Sequence, residues 1–540
     1  MTQAATLILR NARIATQNPD RPWATALAVA GDRIVWVGDD AEARAWYGPG
    51  VKEIDGAGRL VLPGFCDSHQ HLLIGARALG CLALDDAASL DDLQARLRGY
   101  AAANPDREWL VGRGWMYRLF APGQAIDRRI LDAVVPDRPV FLSAFDGHTG
   151  WANTVALERA GILHGADTGN PFSTVVLDGA GMATGELREG PAMDVVRRLI
   201  PPVSAAEQDD LLRRALRELA ALGITSVHNM DGDADQLALY ARFAAAGELS
   251  LRILLPLSLT PGVDPAQIDA WAELAAQHQG PLVRAGAVKL FMDGVVESKT
   301  ALLLAPYADG SGDCGIANYD QAEFTALVTR ADARGLQVFV HAIGDAAVRR
   351  TLDSYAAAQR ANGRRDARHR VEHVELIDPA DVGRFAELGV IASFQPIHVG
   401  FGLDEANTWR RLSGPTRWPL GFAWRTLTDS GAHIALGSDW PVAAPDPLRG
   451  IATALQRVKL DLSGPESSFP DQRLTLDELI RGYTSGAAYA AHREGEVGRL
   501  APDYLADFVV LDGDIFTLPS EAIAQTRVAL TVMGGTVVHG

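Results

Sequence analysis

Between residues 61 and 494, short apolar runs alternate with stretches whose apolar residues recur every three or four positions, the pattern of strands followed by amphipathic helices. Eight runs predict strands: Val61–Asp67, Ile224–Asn229, Leu251–Leu257, Gly286–Phe291, Gln337–His341, Arg370–Val374, Val390–Gln395 and His433–Ser438. The segment Ser204–Leu222 typifies what lies between them. Ser204 and Glu207 make a capping box, Leu212, Leu216 and Leu219 share one face, and Gly223 ends the helix. Eight such units predict an α/β fold, a (β/α)8 TIM barrel whose reactive groups stand at the C-terminal ends of its strands. The stretch after the first strand is too long for one crossover. Residues 80–205 are therefore expected to form an insertion near the barrel mouth, with strands of its own at Trp109–Gly112 and Val140–Ala144.

The two ends of the chain are patterned differently. Leu7-Ile8-Leu9, Ile14-Ala15, Leu27-Ala28-Val29 and Ile34-Val35-Trp36-Val37 near the start are short strands broken by turn residues such as Gly31-Asp32. Asp507–Leu511, Val528–Met533 and Thr536-Val537-Val538, the last two joined across Gly534-Gly535, repeat the pattern at the end. Both termini are thus expected to combine into one small β domain, residues 1–60 and 495–540, with the barrel, residues 61–494, inserted in it.

Composition narrows the class. Of 540 residues 48% are hydrophobic and 22% charged, the balance of an ordinary globular protein rather than a disordered or fibrous one. A net charge of −17 repels phosphate backbones and anionic membrane surfaces, so the expected partner is a small molecule and neither nucleic acid nor membrane. A homodimer is the assembly to test. Three cysteines, Cys66, Cys81 and Cys314, give no disulfide framework. With no leader-like segment in Met1–Gln17 and no apolar run of roughly 20 residues, the expected location is cytoplasmic.

The chemistry concentrates at strand ends. Asp67-Ser68-His69-Gln70-His71 closes the first strand, and two histidines two apart in an extended segment point to the same side. His341 closes the fifth strand, His373 the sixth, and Asp439 follows the eighth. Imidazole nitrogens with a carboxylate suit Zn²⁺, or Mn²⁺ or Fe²⁺ at some cost in affinity. Lys289 stands near the end of the fourth strand in a chain with four lysines, Lys52, Lys289, Lys299 and Lys459, among 50 basic residues. A buried ammonium is costly, and only a primary amine can lose its proton and take up CO₂ to become a carbamate whose two oxygens bridge two ions. Its plainer alternative is an ion pair with Asp293.

As an ordered set these motifs resemble the amidohydrolase superfamily, in the branch that includes N-substituted formamide deformylase. The matching segments are Leu62-Pro63-Gly64-Phe65 running into Asp67–His71, Asp146-Gly147-His148, Gly223–Val227, Val288-Lys289-Leu290-Phe291 with Asp293-Gly294, His341–Asp345, Glu372-His373, Gly437-Ser438-Asp439 and Leu505-Ala506-Asp507. The resemblance implies a distorted barrel beside a β-sandwich built from both termini. It also implies one or two divalent ions, Zn foremost, held by His69, His71, His341, His373 and Asp439, with Lys289 as an N6-carboxylated bridge. After Asp293-Gly294 the chain has Val295-Val296-Glu297-Ser298-Lys299-Thr300 where the branch more often resembles Ser-x-Gly-x-Arg-Thr, which points to a differently shaped pocket.

The expected reaction is hydrolysis of a C–N bond in an N-acyl or N-formyl amine, with Asp439 as ligand and base. His148 is the candidate donor to the developing oxyanion, and Arg113, Trp115, Tyr117 and Trp151 are candidate substrate contacts, the tryptophans alternatively filling the insertion's own core. His228 and His398, also near strand ends, rank below His148. Ring deamination, or hydrolysis of a cyclic amide or ester on the same scaffold, is the alternative reaction, deamination being disfavoured because His341 is followed by Ala342-Ile343-Gly344-Asp345 without a glutamate. An inactive metal-binding regulator is a third reading.

Overall fold

The computed structural model describes residues 4–121, 124–145, 147, 149–168, 173–400, 408–457 and 469–540. Eight strands pair in chain order into one sheet: β1 Phe65–Gln70, β2 Ile224–Asn229, β3 Arg252–Ser258, β4 Val283–Phe291, β5 Gln337–Ala342, β6 Arg370–His373, β7 Ile391–Phe394 and β8 His433–Leu436. Every neighbouring pair is parallel. Phe291 lies opposite His341 and Ala342 opposite His373, so β4, β5 and β6 end at one level. Just past the strand ends the first and last close on each other, the Asp439 N–H donating to the His69 carbonyl at 2.7 Å and the His71 N–H to that of Trp440 at 2.8 Å. The result is an α/β barrel of the TIM type, near-closed, with its C-terminal rim carrying the titratable residues.

The first barrel strand begins at Phe65, not at Val61. Leu60–Pro63 belongs to another sheet, and the chain crosses between the two at Gly64. Pro63 has no N–H with which to extend a ladder. Gly64 donates at 2.9 Å to the carbonyl of Asp507, just before the terminal-sheet strand Phe508–Leu511, and Phe65 to that of Gly223 at 3.0 Å. The backbones approach so closely that a Cβ on residue 64 would stand 2.3 Å from Thr225 Oγ1. The consequence reaches the site, because Asp67, Ser68 and His69 lie within a buried barrel strand rather than beyond its end.

The termini form two sheets. One orders Arg33–Gly38, Ala26–Ala30, Leu7–Arg10 and Lys52–Asp55; the other orders Thr536–His539, Val528–Met533, Phe508–Leu511, Leu60–Pro63, Arg13–Ala15 and Trp23–Ala24. Leu60–Pro63 thus pairs with a C-terminal strand on one side and an N-terminal strand on the other. Leu7, Leu9, Ile14, Leu27, Val29, Val61, Phe508, Val510 and Val532 make the shared core. A buried ion pair fastens this region to the barrel, Arg252 of β3 donating to Asp507 at 2.6 and 2.9 Å.

By contact, the chain divides into two compact units, Met1–Leu72 with Leu216–Gly540, and Leu73–Ala215. The second has its own six-stranded sheet, ordered Thr174–Leu177, Ala183–Arg188, Thr149–Ala152, Val140–Ala144, Leu110–Trp115 and Leu82–Ala83. Its two apolar cores centre on Leu110, Trp115, Val140 and Trp151, and on Phe141, Leu157, Leu187 and Met193. Among the described residues no helix is long and apolar enough to cross a membrane.

Candidate metal centre

Two donor groups meet on one carboxylate at the barrel rim. His69 Nε2 and His71 Nε2 each lie 3.3 Å from Asp439 Oδ1, and ligand atoms of these three residues fall within 4.8 Å of one another. A second set, His373, His398 and Asp439, meets the same limit. Extended backbone over residues 69–71 turns both imidazoles to one side. Asp439 is brought to them by closure of the barrel, which Gly437 permits: a Cβ there would stand 2.3 Å from the His69 backbone nitrogen. His373 (φ 74°) and Asp439 (φ 62°) hold left-handed backbone conformations that non-glycine residues rarely adopt, a local cost of order 1–3 kcal/mol each.

Carboxylates behind the histidines fix their rings. His69 Nδ1 is 2.7 Å from Glu372 Oε2, and His71 Nδ1 is 2.8 Å from Asp231 Oδ1. Each contact leaves the Nε2 lone pair for the site. Asp67 ties the two rim segments together, accepting from the backbone N–H groups of Ser438 at 2.9 Å and His69 at 3.2 Å. Burial pushes the Asp67 carboxyl up to about 6. Burial also drives His373 and His398 below the ordinary imidazole value, and His341 down to about 3 with help from Lys289, so these rings are neutral donors. Asp439 is opposite in sense: burial would raise it, but His69 and His71 hold it well below the carboxylate range, and it is an anion.

Lys289 is fully buried, and its Nζ has no hydrogen-bond partner among the described residues. It sits 4.6 Å from the Phe291 ring centroid. Burial lowers its amine to about 8, against the pull of Glu372 and Asp439. The ion pair with Asp293 does not form. Asp293 instead accepts backbone N–H groups from Leu302, Ile343 and Gly344 at 2.8 to 3.0 Å, locking the loops after β4 and β5 together. His341 meets His373 edge to face, with ring centroids 4.5 Å apart, while its Nε2 lies 3.1 Å from the Gly294 carbonyl oxygen.

The donor chemistry fits a divalent cation. Among the described residues His69 Nε2 and His373 Nδ1 are buried imidazole nitrogens without hydrogen-bond partners, a costly arrangement that a bound ion would relieve. Sequence reasoning placed His69, His71, Lys289, His341, His373 and Asp439 in one site; in the structure donor atoms of His69, His71 and Asp439 cluster, as do those of His373 and Asp439 with His398, while Lys289 and His341 fall in neither cluster. It undervalued His398, which follows β7 in the turn Pro396–Gly400, and overlooked Asp231, two residues past β2. The available signal was the same for both, a titratable side chain shortly after a barrel strand.

The insertion residues fare differently. Trp115 and Trp151 are fully buried in the core of the Leu73–Ala215 unit, their rings 5.9 Å apart and their indole N–H groups donating to Leu142 and Asp127 carbonyls at 3.2 Å. Among the described residues both rings pack into that apolar core. Tyr117 is exposed and donates to Thr149 Oγ1 at 2.6 Å, and Arg113 is half-buried on the strand Leu110–Trp115. His148 lies outside the described residues.

Comparison with known proteins adds a lineage. Residues 52–539 match the Amidohydrolase family. The chain is 32% identical to YtcJ of Bacillus subtilis (strain 168) over 500 residues, 91% of this chain and 92% of that one. It is 29% identical to the N-substituted formamide deformylase of Arthrobacter pascens over 556 residues, covering 99% and 98%. The crystal structure of an uncharacterized metal-dependent hydrolase from Pyrococcus furiosus aligns with a TM-score of 0.73 at 26% identity, over 94% of this chain and 99% of that one.

Proposed function

The chain belongs to the amidohydrolase family, and from that premise we propose that it hydrolyses the C–N bond of a small non-peptide amide, an N-acyl or N-formyl amine, at a divalent metal centre. The observation that carries the reading is the convergence of His69, His71, His373 and His398 on the single carboxylate of Asp439. His69, His71 and Asp439 would hold one ion, and His373, His398 and Asp439 a second, with His341 beside them. Imidazole with carboxylate favours zinc. Likeness to an N-substituted formamide deformylase supports the choice of substrate.

A divalent ion supplies Lewis acidity, lowering the pKa of a water to about 7 and polarising a carbonyl. The protein's own groups do the rest. Glu372 and Asp231 keep His69 and His71 in the tautomer whose Nε2 faces inward. Asp439, held anionic by its imidazole neighbours, accepts the proton of the attacking water on a carboxylate oxygen. It then delivers that proton to the amine nitrogen, which leaves readily only when protonated. Lys289 is suited to carboxylation: its neutral amine would attack CO₂, form an N–C bond and release a proton, giving a carbamate anion in place of a buried ammonium. His148 is the proposed oxyanion donor, and Arg113 and Tyr117 remain proposed substrate contacts.

The test is hydrolysis of a panel of N-formyl and N-acetyl amines by metal-replete protein, with the products identified. Release of free amine and carboxylic acid, abolished by chelation and restored by Zn²⁺, is expected. Ammonia as the nitrogen product would replace the proposal with deamination. No turnover across amides, carbamates, esters and lactones would favour a regulator.

A further inference from the structure

Beneath the rim, the barrel interior holds a cation that hydrolysis does not use. Arg370, on β6, is fully buried at the level below the candidate ligands. Its Nη1 lies 2.8 Å from His228 Nδ1 on β2. Its Nη2 donates to the Ser68 carbonyl on β1 at 2.7 Å, to Ser393 Oγ on β7 at 3.0 Å and to Glu372 Oε2 at 3.1 Å. The Phe339 ring of β5 covers the guanidinium at 4.4 Å from its centroid. One side chain therefore reaches strands on both sides of its own. A planar fork can do this where an ammonium cannot.

The same Glu372 oxygen that receives Arg370 also receives His69 Nδ1. Glu372 Oε2, 2.7 Å from His69 Nδ1, holds the ring so that its Nε2 faces Asp439 Oδ1 at 3.3 Å. His228 must be neutral to accept from Arg370 through Nδ1, which leaves its Nε2 proton facing Cys66 Sγ at 3.5 Å.

We infer that Arg370 is a positioning residue for the metal centre, acting through Glu372 to orient His69, and that His228, Ser68 and Ser393 serve to aim Arg370. The inference rests on the proposed metal site but not on the identity of the substrate.

The test is a double-substitution cycle on the full-length protein, using Arg370→Met, Glu372→Gln and both together. Zn²⁺ affinity is measured by competition with a chromogenic chelator, and the visible spectrum is recorded after loading with Co²⁺. Loss of a hydrogen-bond partner behind a metal-binding histidine commonly weakens metal affinity 10–100-fold, and each single variant is expected to fall in that range. The double variant is expected to lose no more than the weaker single one, and the Co²⁺ bands of all three to shift alike. Multiplied losses, or an Arg370→Met protein binding Zn²⁺ as tightly as wild type, would overturn the inference. Should Arg370→Met fail to fold, Arg370→Lys, which retains charge but not the fork, enters the same cycle with the same criteria. A wild-type protein that binds no Zn²⁺ would refute the proposed metal site itself, a result distinct from a Zn²⁺-binding protein indifferent to Arg370.

Discussion

A carboxylate oxygen 3.3 Å from two imidazole nitrogens, with two further histidines around its other side, concentrates the chemistry of the rim on Asp439. Replacing it by asparagine keeps shape while removing charge. Asp439→Asn is expected to fold, with Tm within a few degrees of wild type, and to lose 10²–10⁴-fold in kcat as a general base is removed. Turnover near wild type would remove Asp439 from its role. At this scale much was readable from sequence. His69 and His71 announce themselves by their spacing at a strand end, and Lys289 by its rarity. Asp231 and His398 were harder, because each lies in irregular backbone whose path depends on contacts made after the strand has ended. His69 depends on Glu372, 303 residues distant in the chain. Only the register between β5 and β6, and barrel closure, bring such residues together.

Each strand of the barrel is held by its neighbours and by anchors at its base. Asp332, which precedes β5, accepts from His369 Nε2 at 3.1 Å, Arg365 Nε at 2.7 Å and Asn362 Nδ2 at 2.8 Å. Burial would raise its carboxyl, but these donors outweigh burial and hold it at about 2, below its ordinary 3.8. Because the folded-state value is depressed, the stabilisation is complete above the unfolded value and is lost as pH falls through about 2. The shift corresponds to about 2 kcal/mol. Asp332→Asn is expected to be less stable than wild type at pH 7, with the gap narrowing by about that amount as pH approaches 2. A gap independent of pH, in denaturant titrations, would contradict the linkage. At this scale strand positions followed from apolar runs, but the start of β1 did not. Val61 to Asp67 is one continuous apolar pattern, and only the contacts of Gly64 with Thr225 and Asp507 reveal that it serves two sheets. Trp115 and Trp151 show the complementary limit: an aromatic near a predicted site reads the same whether its ring lines a pocket or fills a core.

Across the whole molecule, the alternation of strand and helix announced the barrel, and strands at both termini announced the shared sheet through Leu60–Pro63. How the Leu73–Ala215 unit builds its own sheet was less legible, since its strands are short and mixed in direction. Among the described residues, His69 Nε2 and His373 Nδ1 at the barrel's end are buried without hydrogen-bond partners, so a bound ion should stabilise the fold. Zn²⁺ at about 100 times its Kd is expected to add about 2.7 kcal/mol, read as a rise in Tm that a chelator reverses. An unchanged Tm would mean no ion binds the folded state. The most direct measurement is anomalous diffraction at the zinc edge from crystals of the full-length protein grown with Zn²⁺. The account predicts a peak within bonding distance of His69, His71 and Asp439. Fully occupied zinc found only elsewhere, with those three side chains bonded solely to one another, would contradict it.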